Sequence, residues 1–176
     1  AHADYIVVNL SSPNTPGLRS LQFGEQLEAL LKTLQAERQL LSAQQQRLVP
    51  LLLKIAPDLT PAEVAGIADT VRKAGIDGVI ATNTTLSRVR VEQSPHRDEA
   101  GGLSGAPLTP GSTAVLMQLA KALDGSMAVI GVGGIMQGAD AVAKRQAGAA
   151  LVQIYSGFIY RGPALIAESA RALQHG

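Results

Sequence analysis

Lys54 is the only charge inside the apolar run Leu51-Leu52-Leu53-Lys54-Ile55, and an ammonium there needs an anion or a polar cavity to offset its desolvation. A structural salt bridge would also serve. Asn9, Ser12 and Asn14 fall within VVNLSSPNTPG, Thr82-Asn83-Thr84 follows GVIA, and glycines crowd GGLSG, GVGG and YSG. Amide side chains carry both a donor and an acceptor, so Asn9, Asn14 and Asn83 suit a flat cyclic imide or amide with alternating N–H and C=O edges. Lys54 would add positive charge where negative charge develops, as on an enolate or a reduced flavin ring. Ser12 is a candidate base, but a hydroxyl needs a dry site and a relay partner such as Thr15 or water. No nucleophile elbow is present, since NLSSPN is not G-x-S-x-G. Each cluster also has a plainer reading: a turn for Ser12 to Gly17, a loop cap for Asn83, ordinary glycine turns for GVGGI. His2, His96 and His175 lack ligand spacing and read as surface residues, so no metal is predicted.

These clusters share a position. Short continuous apolar runs predict strands at Tyr5 to Leu10, Leu51 to Ile55, Gly78 to Ala81, Ala128 to Gly131 and Ala150 to Ile154, and polar or glycine-rich sequence lies in or follows each one. Helical spacing of Leu27, Leu30, Leu31, Leu34 and Leu41 predicts an amphipathic helix, with Glu28 and Lys32 on its outer face. Thr60-Pro61-Ala62-Glu63 has the form of a capping box with proline at the first helical position, and Gly75 supplies a stop. Further helices fit Ser112 to Leu123, Ala139 to Ala147 and Pro163 to Gln174. The stretch Thr82 to Gly111 is too long for a routine connection and reads as a lid or site loop. Strands alternating with helices imply a parallel sheet, whose ligands bind at the C-terminal strand edge. There, loops after the last strands often cradle phosphate with backbone N–H groups.

Composition excludes several functions. With 176 residues the chain is long enough for one real core. The 15 Lys and Arg are scattered among 14 Asp and Glu, with no basic stripe for nucleic acid. No apolar window is long enough to span a membrane, and no signal peptide is visible. Cys is absent, which rules out disulfides and thiolate chemistry. About 35 residues per unit matches the spacing of an eight-stranded barrel of roughly 250 residues, which five units cannot close. A start close to the first strand favours truncation from something larger.

Six segments, VNLSSPNTPGLRSLQ, LLLKIAPDLT, GIDGVIATNTTLSR, GGLSGAPL, IGVGGI and GAALVQIYSGFIYRGP, together resemble the C-terminal five strands of a quinone-linked (class 2) dihydroorotate dehydrogenase of the bacterial kind. The resemblance runs from Asp4 to about Leu173. It implies an α/β fold, a (β/α)8 TIM barrel of which residues 1–176 supply about the last five β/α units of a single FMN-binding domain. It implies oxidation of dihydroorotate to orotate, with FMN as hydride acceptor and quinone as final acceptor, in pyrimidine biosynthesis. By motif, Ser12 resembles the catalytic base, Asn9 a residue touching FMN and substrate, and Asn14, Asn83 and Thr84 substrate-binding positions. Lys54, Thr82, Gly105, Gly134, Tyr155 and Ser156 resemble FMN-binding positions. Class 1 enzymes resemble this pattern with Cys where Ser12 stands, which assigns the chain to class 2.

The resemblance also implies a parent held peripherally on the cytoplasmic side of the bacterial inner membrane, where quinone is met. The family's N-terminal half, with its membrane-associating helices and further ligands, has no counterpart among these residues. An unclosed barrel predicts self-association or pairing with that half. Two other readings stand behind the dehydrogenase: an inactive FMN- or phosphate-binding fragment, and a sugar-phosphate isomerase, which lacks the expected carboxylates.

Overall fold

Runs of Val, Leu and Ile form five short strands because both faces of most of them are covered. The computed structural model describes residues 3–175. In chain order it gives β1 (Ile6–Asn9), α1 (Gly24–Gln45), β2 (Leu51–Ile55), α2 (Pro61–Ala74), β3 (Gly78–Ala81), α3 (Thr109–Leu123), β4 (Ala128–Val132), α4 (Gly138–Gln146), β5 (Leu151–Gln153), α5 (Ser156–Arg161) and α6 (Ala164–His175). Single 3₁₀ turns at Leu18–Gln22 and Ala106–Leu108 precede α1 and α3. The strands form one sheet in sequence order, every pair parallel. The sheet and helices alternate as the sequence predicts.

One face of the sheet, with Leu53, Ile55, Val79 and Val129, packs on Leu27, Leu31, Ile67, Val71 and Leu116 from α1, α2 and α3. Fully burying a Leu or Ile such as Leu53 or Ile55 contributes about 2–3 kcal/mol before entropic costs. The other face carries a smaller cluster of Leu52, Ile80, Ile130 and Val132, with Val7 beside it. Lys54 belongs to this second face, because it pairs in register with Asn9 on one side and Ile80 on the other. β1 and β5 are the outer strands, and Gln153 Nε2 on β5 donates to the Tyr5 hydroxyl just before β1 at 3.3 Å. That contact joins the two outer strands across the second face, around which the sheet curls.

The α2 capping box forms as expected, with Thr60 Oγ1 accepting from Glu63 N and Glu63 Oε2 accepting from Thr60 N. Gly75 stops the helix at φ 69°. Several expectations need correction. Leu41 is 53% exposed, because a 22-residue helix of about 33 Å overhangs a sheet of five-residue strands. α3 starts at Thr109, since Pro110 is tolerated in a first helical turn, so the irregular stretch ends earlier than Gly111. β1 and β5 are shorter than predicted and partly exposed, being outer strands. α5 was not anticipated.

Candidate active site

Residues at the C-terminal ends of β1 and β3 meet through one amide. Asn9 Oδ1 accepts from Ser11 N at 3.2 Å, Ser11 Oγ at 2.8 Å and Asn83 Nδ2 at 3.1 Å. Asn83 Nδ2 also donates to Ser11 Oγ at 3.0 Å, and its Oδ1 accepts from Thr84 N at 2.8 Å. Two loops 74 residues apart are thereby joined by side chains. Thr82, buried, is linked to Ala81 by a cis peptide; its N–H donates to Val132 O and its hydroxyl to Asn83 O. Ser12 is partly buried, and its Oγ accepts from Asn14 N at 3.3 Å. Thr15 makes no hydrogen bond to Ser12, so the expected relay through it has no contact behind it.

The segment after β3 folds back over this region. Thr85 and Leu103 exchange backbone hydrogen bonds of 3.0 and 2.8 Å. Gly101 and Gly102 come down on Asn14 and Pro13, where a Cβ at Gly102 would lie 2.9 Å from Pro13 Cγ. This explains the glycine pair in GGLSG.

A cavity of about 510 Å³ opens beside the amide cluster, in the size range of small-molecule sites. Lys54, Thr82, Asn83 and Thr84 line one side, and Gly105, Gly134, Tyr155 and Ser156 the other. The Lys54 ammonium has no ion-pair or hydrogen-bond partner among the described residues. Desolvation by burial lowers its pKa. The salt bridge considered for it is absent, and the polar cavity takes its place.

The glycine loop after β4 presents donors to the same cavity. Gly133 O accepts from Ser112 Oγ at 2.9 Å and Gly134 O from Thr109 Oγ1 at 2.8 Å, so both carbonyls are turned onto α3. In a trans peptide the N–H points opposite to the C=O. The N–H groups of Gly134 and Ile135 therefore face away from α3, on residues that line the cavity, and neither has an acceptor among the described residues. Gly133 and Gly134 have φ of 105° and 81°, where side chains are disfavoured. Ser156 Oγ donates to Ser104 Oγ at 2.9 Å, closing the rim. Only Ser156 lies near the outward direction of Gly105, at 3.8 Å, which leaves space there for a ligand. Free N–H donors, an unpaired ammonium and the open space at Gly105 together fit a ligand with a phosphate at one end and a polar planar group at the other.

Eight of the expected residues thus line one cavity, Asn9 is bonded to it through Asn83, and Ser12 and Asn14 sit on the adjoining loop. Ser11, Arg19, Asp58 and Gln153 were missed: Ser11 hides beside Ser12, and the others act through partners distant in sequence. His96 is exposed and pairs with Glu99 at 2.7 Å, His175 ends α6 on the surface, and His2 lies outside the described residues. Among the described residues no group of three potential metal ligands occurs.

A curled parallel β/α sheet with an amide-rich, anion-receptive cavity at the C-terminal strand edge defines a barrel-type ligand-binding or catalytic protein. The family model described as dihydroorotate dehydrogenase matches residues 1–175, and the chain belongs to that family. It is 57% identical over 173 residues to a dihydroorotate dehydrogenase (quinone) of Saccharophagus degradans, covering 98% of this chain and 51% of that protein. Another so named, from Aeromonas hydrophila subsp. hydrophila, is 60% identical over 166 residues, or 94% and 49% of the two chains. A crystal structure of the Eimeria tenella enzyme in complex with ferulenol superposes with a TM-score of 0.90 at 40% identity, covering 98% of this chain and 50% of that one. The chain spans about half the length of these relatives.

Proposed function

We propose that residues 1–176 form the C-terminal part of a single FMN-binding barrel domain, and that the intact protein oxidises dihydroorotate to orotate with quinone as final acceptor. The observation that carries this is the amide cluster of Asn9 and Asn83 bordering a cavity whose far wall offers the free N–H groups of Gly134 and Ile135. FMN, when bound, supplies the hydride acceptor that quinone later reoxidises.

The chain's own residues bind and orient. Gly134 and Ile135 receive the phosphate, with Gly105, Tyr155 and Ser156 around it. Lys54 and Thr82, on the opposite wall, would hold the flavin ring system, where the Lys54 ammonium would stabilise negative charge. Asn9, Asn14, Asn83 and Thr84 match the donors and acceptors of the pyrimidine ring. Ser12 takes the C5 proton of dihydroorotate, and the N–H of Asn14 favours the charged form of its oxygen. The loop closed by Thr85 and Leu103 packs over Pro13 and Asn14 beside this step. Association with the cytoplasmic face of the bacterial inner membrane follows from quinone as a substrate; among the described residues no helix is long and apolar enough to cross a membrane.

The test uses the intact protein. It is expected to purify yellow and to bleach when dihydroorotate is added without oxidant. Colourless protein that takes up no FMN, or bound flavin inert to dihydroorotate, overturns the proposal.

A further inference from the structure

Lys144 has no exposed surface, yet it is a lysine on α4 with no carboxylate in contact. Its Nζ donates to Ser112 Oγ at 2.6 Å, and that hydroxyl, also fully buried, donates to Gly133 O at 2.9 Å with Thr109 O as a second acceptor at 3.2 Å. Gly131 makes room for it: a Cβ there would lie 3.1 Å from Lys144 Cβ and 2.8 Å from Leu116 Cδ1. An ammonium in such a place costs free energy that a Met of similar length would not. What its position gives is a fixed cation directly behind the glycine loop, bonded to the group that turns the Gly133 carbonyl away from the cavity.

We propose that Lys144 is a positioning residue for anion binding: through Ser112 it fixes the Gly133–Gly134 peptide with its N–H toward the cavity, and its charge favours a phosphate there. This rests on the reading of the cavity as a flavin mononucleotide site and goes beyond it, because Lys144 is fully buried and does not line that cavity. Desolvation by burial lowers its pKa to about 8, partly opposed by Asp140, so the charge is present at neutral pH and lost in mild alkali. Asp140 is the charged group that acts on it; the other titratable charged groups of its helix and of α5 and α6 are Arg145, Arg161, Glu168, Arg171 and, at the end of α6, His175. α3 offers only Lys121 in its last turn. Asp140 is held by Met136 N and Gln137 N, and Glu168 by Gly138 N and Arg161.

The test compares FMN with riboflavin, which lacks the phosphate, by titration of the flavin-free intact protein. Lys144→Met is expected to weaken FMN about tenfold and to leave riboflavin within about twofold, since only the phosphate feels the cation. In the unmodified protein the preference for FMN is expected to fall as pH rises through about 8, well above the second phosphate ionisation near about 6. Lys54, on the cavity wall with its own lowered pKa, is controlled for because Lys144→Met retains it; in that variant the preference is expected to be flat. Equal losses for both flavins, or none, overturn the assignment while leaving the flavin site intact. Should the variant not fold, a pH-independent preference in the unmodified protein overturns it equally. Failure of the unmodified protein to bind either flavin removes the cofactor reading itself, and this inference with it.

Discussion

Arg19 Nη1 lies 2.8 Å from Asp58 Oδ2, and this partly buried pair holds three strand-end loops together. Arg19 also donates from Nε to Ser11 O at 3.1 Å and from Nη2 to Thr84 O at 2.8 Å. Asp58 in turn accepts from Thr85 Oγ1 and from Leu86 N. One guanidinium therefore spans the loops after β1, β2 and β3, which carry Ser12, Lys54's strand end and Asn83.

Arg19→Ala removes the guanidinium that donates to the Ser11 and Thr84 carbonyls and takes the cationic partner from the Asp58 carboxylate, which keeps Thr85 Oγ1 and Leu86 N as donors. A loss of about 1–3 kcal/mol in stability is expected. Displacing the Ser12 loop by even a fraction of an ångström is expected to lower kcat by about tenfold or more, with flavin content unchanged. Denaturant unfolding, flavin absorbance and turnover in the intact protein check this. Unchanged turnover with reduced stability would make the clasp purely structural.

Ser12→Ala removes the hydroxyl that accepts from Asn14 N and leaves the residues lining the cavity in place. Flavin is expected to be retained while turnover falls by about 10²–10⁴, the range for losing a general base. Ser12→Cys is expected to keep more activity, with its pH profile displaced to lower pH because a thiol ionises far more easily than an alcohol. An alanine variant as active as its parent excludes Ser12 as the base.

Local signals carried most of the fold. The capping box at Thr60 and Glu63 and the apolar strand runs are written within a few residues of where they act, and they appear where expected. Convergence of Asn83 with Lys54 on one cavity also follows from strand polarity alone. The Arg19 and Asp58 clasp does not, because it pairs residues 39 apart whose types suit any surface. Lys144 sits in AVAKRQAG, where its charge reads as a solvated helix face; the packing of α3, α6, β4 and β5 against α4 buries it. α5 follows the two-residue connection Ile154-Tyr155 and is six residues long, too short for a periodic signal.

Gly134→Ala is expected to damage the phosphate end of the cavity. At φ 81° the new Cβ would sit 2.6 Å from both N and Cα of Thr109, which are backbone and cannot swing away. A loss of about 2–4 kcal/mol and of FMN binding is expected. Gly125→Ala supplies the control, since that glycine has φ 72° with open space around it and is expected to cost about 1 kcal/mol with FMN binding intact. Thermal unfolding with flavin titration separates collision from conformational strain, and similar behaviour of the two variants would remove the loop's packing from the account.

Lys144 makes stability itself pH-dependent in a direction opposite to the usual ion pair. Its folded pKa of about 8 lies below its ordinary 10.5, so below about pH 8 it is charged in both states and the full cost of burying the charge is present. Between about 8 and 10.5 the unfolded chain holds a proton that the folded chain has released, and stability therefore rises with pH. Above 10.5 both states are neutral and the gain is complete. Over that window the flavin-free protein is expected to gain on the order of 3 kcal/mol relative to Lys144→Met, which has no proton to lose. Denaturant unfolding of both proteins at a series of pH values measures the difference, in which other alkaline titrations cancel. Curves that stay parallel from neutral pH into that window would mean that Lys144 releases its proton no earlier folded than unfolded, and so that its burial carries no electrostatic cost.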